Sequence, residues 1–113
     1  MSRDLQLDFA QETYEATDNR CAVCGYEGVF LQAHHVIEQK RIRKLGPEVL
    51  WDSRNGLAVC CEPAPNRCHE RHTLAVKRIP REALRPENLA FAEEHGFEWA
   101  IDRFYPSAYR EAA

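Results

Sequence analysis

Hydrophobic positions run along this chain in short bursts separated by polar, turn-forming stretches, and the period of each burst predicts an element. "DLQLDFAQETYEATD" (4–18) mixes apolar and acidic residues at helical spacings and stops near Asp18-Asn19. "VFLQAHHVI" (29–37) reads as a strand on the strength of Val29, Phe30, Val36 and Ile37, and "GLAVCC" (56–61) as a second one. Between them, "EQKRIRKLGPEVLWDSRN" is expected to be a connecting loop with room for a short helical turn, broken by Gly46-Pro47 and by Asp52, Ser53 and Asn55. "NRCHERHTLAVKR" predicts a helix capped by Asn66 and ending near Pro80, and "RPENLAFAEEHG" another, opened by Pro86 and stopped by Gly96. The aromatics that follow, Phe97, Trp99, Phe104, Tyr105 and Tyr109, are expected to be packing surface, with His95 a structural residue at the end of its helix.

With 113 residues, 44% of them hydrophobic and 29% charged, the chain is expected to be one compact domain of the α+β class, small enough to gain from a metal staple. No apolar run reaches the roughly 20 residues of a membrane span, and the first residues lack the layout of a secretory signal, so the expectation is a cytoplasmic protein without a membrane partner. The net charge of −3 is unevenly spread. Acidic residues crowd the two ends, whereas Lys40, Arg41, Arg43 and Lys44 lead a basic middle that would give an acidic protein one basic face.

Candidate chemistry falls into a sulfur set and a nitrogen set. Cys21-x-x-Cys24, followed by Gly25 for a tight turn, is a metal-knuckle spacing, and a reducing cytosol favours metal over disulfides. Cys60, Cys61 and Cys68 supply the other half, with seven residues between Cys60 and Cys68 in place of the usual short spacing. Either Cys60 or Cys61 then completes a four-sulfur zinc site with Cys68. The nitrogen set is His34 and His35, which point to opposite faces of a strand, and His69 and His72, three apart on one helix. Two arrangements are open: Cys68 turned to the sulfur site with His69 and His72 turned to His34, or Cys68 and His72 sharing one zinc. A divalent ion held by histidines can polarise a phosphodiester while a separate neutral imidazole deprotonates water, so adjacent histidines suit two different tasks.

"AHH", then "RNGLAVC", then "CHERHT", in that order over residues 21 to 78, resemble an HNH endonuclease of the small phage or bacterial type. The resemblance implies a ββα-metal (His-Me finger) core with a structural zinc and flanking N- and C-terminal helices. It further implies that His34 and His69 bind a catalytic divalent ion (magnesium, manganese, nickel or zinc), with His72 a weaker third ligand, and that His35 is the general base. Asn55 would brace the loop, and Cys21, Cys24, Cys60 and Cys68 would hold the structural zinc, Cys60 lying five residues after Asn55 as the family spacing suggests. Lys40, Arg41, Arg43 and Lys44 would contact the phosphates of double-stranded DNA. Two departures stand out: the insertion in "CCEPAPNRCH", and Thr73 where some members carry a metal histidine. The rival expectation is a zinc-stabilised nucleic-acid-binding module without activity.

Overall fold

The computed structural model describes residues 4–108. Helix α1 (Leu5–Glu15) starts where the Asp4 side chain accepts the Leu7 N–H at 3.1 Å, and it buries Phe9 and Thr13. It ends before the expected Asp18-Asn19, both of which adopt left-handed backbone and lead into a tight hairpin. In that hairpin Arg20 bridges Glu27, Cys21 N–H bonds Tyr26 O at 2.9 Å, and Gly25 takes the positive φ of 79° that its turn requires.

Strands β1 (Leu31–His35) and β2 (Gly56–Cys60) form a two-stranded antiparallel sheet, with His34 opposite Leu57 and His35 opposite Gly56. β1 is shorter than expected: Val36 N–H still bonds Asn55 O at 2.9 Å, but the Ile37 backbone turns to the Asn55 side chain. Leu57, Ala58, Val59 and Cys60 are all fully buried, so β2 is covered on both faces. α1 covers one of them so closely that a Cβ on Gly56 would collide with the Thr13 side chain.

The connection that was expected to be a loop is folded. Helix α2 (Gln39–Ile42), a 3₁₀ turn at Arg43–Leu45, helix α3 (Pro47–Leu50) and a second 3₁₀ turn at Ser53–Asn55 follow one another. Gly46 at φ 102° separates the first pair from the second, and Ile42 buries completely. Helix α4 (Cys68–Thr73) is much shorter than expected. Arg67 at φ 43° and Ala75 at φ 57° close it at both ends, and Asn66 is not its cap: its side chain turns to Cys24.

Helix α5 (Pro86–His95) runs as expected to Gly96 at φ 78°, and α6 (Glu98–Phe104) forms inside the aromatic stretch that was expected to be packing surface. The start of α5 grips the start of β2: Asn88 Nδ2 donates to Gly56 O at 2.9 Å and Arg85 Nη1 to the same oxygen at 2.8 Å. Phe91, Ala92, Ala100 and Ile101 then pack against Val36, Ile37, Ile42, Leu57 and Val59 in one core. His95 lies over Phe91 with ring centroids 4.6 Å apart, the structural placement expected for it, and Tyr109 lies outside the described residues. Among the described residues no helix is long and apolar enough to cross a membrane.

Candidate metal centre and histidine cleft

The knuckle, the end of β2 and the start of α4 bring Cys21, Cys24, Cys60 and Cys68 together, with all four sulfurs within 4.8 Å of one another. Four thiolates at about 2.3 Å from a tetrahedral ion stand about 3.8 Å apart. Cys24 Sγ and Cys60 Sγ are 3.7 Å apart, so the quartet could hold a structural ion, and an all-sulfur donor set suits zinc. The choice between Cys60 and Cys61 resolves in favour of Cys60, which also accepts the Cys68 backbone N–H at 3.3 Å. Burial raises the Cys60 and Cys68 thiols. Burial acts on Cys24 in the same direction but is outweighed by hydrogen bonds from the Asn66 side chain and the Tyr26 backbone, which bring it down to about 7.

His34 and His35 occupy opposite faces of β1, as their adjacency requires. His35 turns toward α1, stacked on Phe9 with centroids 4.4 Å apart and edge-on to Trp51 at 5.4 Å. Its Nε2 is 2.9 Å from the carbonyl of Leu50. A carbonyl only accepts, so Nε2 carries the proton and Nδ1 keeps a free lone pair. Desolvation holds His35 below the usual histidine range, partly offset by the Leu50 bond, and the ring is neutral at pH 7.

His34 faces α4 and the C-terminal helices. Its Nε2 meets Tyr105 Oη at 2.8 Å, and the same hydroxyl donates to Val36 O at 2.7 Å. The single phenol proton goes to the carbonyl, so His34 Nε2–H is the donor and His34 Nδ1 is left as an open lone pair. Burial, followed by the neighbouring His72, His69 and His35, pushes His34 well below the normal range. His69 lies 5.7 Å from His34 between ring centroids, and its buried Nδ1 has no hydrogen-bond partner. His72 lies 5.2 Å from His34 and stacks on Tyr105 at 4.9 Å, but its Nδ1 accepts the Ile79 backbone N–H at 3.0 Å. Desolvation, then Arg78 and His69, pushes His72 down to about 4. Among the described residues the sulfur quartet is the one group of three or more candidate ligands already gathered. The histidines are neighbours without forming a closed cage.

Two adjoining hollows of about 300 and 270 Å³ open over these rings and share His34, Glu38, Lys40 and Thr73 as walls. The first also reaches His35 and His69, the second His72, Arg78 and Tyr105. Asn55 is fully buried beneath: its Oδ1 accepts from Ile37 N–H at 2.8 Å and its Nδ2 donates to Ile37 O at 3.0 Å, a clasp that fixes the chain just past His35. Lys40, Arg41, Arg43 and Lys44 line an open groove beside the cleft together with Phe97. Arg41 is built in, with its guanidinium 5.0 Å over the Trp99 ring and its Nε 3.1 Å from Glu38.

Tyr105, Trp99 and Arg78 belong to this site, and reading the chain as a sequence missed them. Their pattern carries only the signal of an aromatic, amphipathic tail; the contacts cross up to 71 positions of chain. No protein-family model, curated protein or solved structure matches the chain.

Proposed function

We propose that the chain is a metal-dependent DNA endonuclease of the HNH type, in which the β1–β2 hairpin and α4 form a ββα-metal core stapled by a structural zinc. The observation that carries this reading is the anchoring of His35. With Nε2–H committed to Leu50 O, a desolvated and neutral imidazole is left with its Nδ1 lone pair free, on a residue that lines the same hollow as His34 and His69.

His34 and His69 are the residues that would hold the catalytic ion, through nitrogens without a hydrogen-bond partner. Such an ion, when bound, polarises the phosphoryl group and stabilises charge on the departing oxygen. His35 Nδ1 takes a proton from water as the water oxygen attacks phosphorus. The phosphorus–ester oxygen bond breaks, and the released oxygen takes a proton from solvent. Asn55 holds the chain that carries His35, and Lys40, Arg41, Arg43 and Lys44 offer positive charge to the backbone of double-stranded DNA.

Supercoiled-plasmid cleavage with magnesium, manganese, nickel or zinc, run on wild type beside His35→Ala, tests the assignment. Metal-dependent nicking is expected in the wild type and a loss of at least a hundredfold in a variant that still folds and holds zinc. An active His35→Ala protein would sink the reading. A wild type silent under all four metals, yet binding DNA with one zinc per chain, would make it a nucleic-acid-binding module.

A further inference from the structure

Resting on that reading, we infer that His72 is an N–H donor to a phosphate oxygen of the substrate and stands outside the set of ligands for the catalytic ion. A neutral imidazole has one N–H and one lone pair, and a metal needs the lone pair. In His72 that lone pair is taken: Nδ1 accepts the buried Ile79 N–H at 3.0 Å. Coordination through Nδ1 would strand a buried backbone donor, and coordination through Nε2 would require stripping the proton that Nδ1 cannot carry. His34 and His69 differ from it here, since each has a nitrogen without a hydrogen-bond partner, that of His69 standing 4.0 Å from Glu70 Oε2.

The ring is held where a donor is useful. It is stacked on Tyr105 at an interplanar angle of 22° and set edge-on to His34 at 77°, in the wall of the 270 Å³ hollow. Arg78 shares that wall, donates to His72 O at 2.9 Å and rests 5.5 Å over Phe104. Lys40 and Arg41 complete the positive rim, and Glu38, the single acid lining the hollow, is paired with both of them. A neutral N–H beside a fixed guanidinium, in a hollow that adjoins the ion-binding histidines, matches a non-bridging phosphoryl oxygen.

Two isosteric variants separate donor from ligand and from structural part. His72→Asn keeps an acceptor near the place of Nδ1 for Ile79 N–H and removes Nε2–H; His72→Gln returns an N–H near the place of Nε2 and forfeits the acceptor. Affinity for a blunt DNA duplex is measured without added divalent ion, and magnesium affinity separately on the zinc-loaded proteins. The donor role predicts about tenfold weaker duplex binding in His72→Asn, recovery of most of it in His72→Gln, and magnesium affinity within twofold of wild type in both. Imidazole ¹⁵N spectra of the wild type should keep the Nε2–H pattern of His72 through saturation with magnesium. Unchanged duplex affinity in His72→Asn overturns the inference, and so does loss of magnesium binding in both variants with a shifted His72 Nε2 signal. A wild type that takes up no magnesium and cuts no DNA defeats the nuclease reading instead, while the duplex measurement still decides the role of His72.

Discussion

What each imidazole of the cleft can offer depends on the group that holds its other nitrogen: Tyr105 for His34, Leu50 O for His35, Ile79 N–H for His72. Tyr105→Phe removes the acceptor that fixes the His34 tautomer. On the proposed reading, affinity for the catalytic ion is expected to fall ten- to a hundredfold, as for other outer partners of metal-bound histidines, with zinc content unchanged. Titrating cleavage against magnesium checks it, and unchanged ion dependence would remove Tyr105 from the site. On the proposed reading His35 acts as a base, which requires it deprotonated, and desolvation lowers its pKa. Cleavage should therefore rise with pH through an apparent pKa below about 6.5 and stay level above it, a limb that a pH series of kcat/KM would reveal. At this scale the sequence was informative wherever a role depends on neighbours in the chain. The adjacent His34 and His35 had to face opposite ways, and Asn55 stood at the foot of a strand. Ile79 N–H and Tyr105 Oη reach their histidines through the fold alone, so no local spacing could announce them.

Among the elements, those with a clear period or a strong stop were legible: both strands, α1, and α5 with its terminal Gly96. α2 and α3 were hidden because a helix of four residues completes barely one turn and shows no period. α4 was overextended for the opposite reason. Its sequence continues to favour helix past Thr73, but Ala75 turns left-handed and Ile79 N–H is drawn to His72. The clasp of Asn55 on Ile37 joins the end of β1 to the start of β2, with both of its hydrogen bonds buried. Asn55→Ala strands both Ile37 groups and is expected to cost about 2 to 4 kcal/mol in urea unfolding, where a surface substitution would cost under about 0.5 kcal/mol. The two cysteines at the end of β2 should behave differently. Cys60→Ser is expected to lose zinc binding, and Cys61→Ser to keep one equivalent per chain by metal analysis, because Cys61 lies outside the quartet.

In the whole molecule, one hairpin is held by the sulfur quartet, which shares Cys21, Cys60 and Cys68 with the apolar core, and by the more distant half of that core. All four cysteines precede residue 69, whereas Phe91, Ala92, Ala100 and Ile101 come from α5 and α6. A chain ending at Pro80 should therefore still bind zinc yet lose the cooperative thermal transition of the full protein, since Val36, Ile37 and Ile42 would lie bare. Circular dichroism melts of the two zinc-loaded chains make the comparison, and an equally sharp melt would show the extension to be dispensable. One detail of α4 has a physiological side. Its first residue, Cys68, belongs to the sulfur quartet, and its second, His69, belongs to the cleft. On the proposed reading, a cell short of zinc would make a chain whose His69 has no fixed address. The scarcity of one nutrient metal would then keep a DNA-cutting protein silent until supply returned.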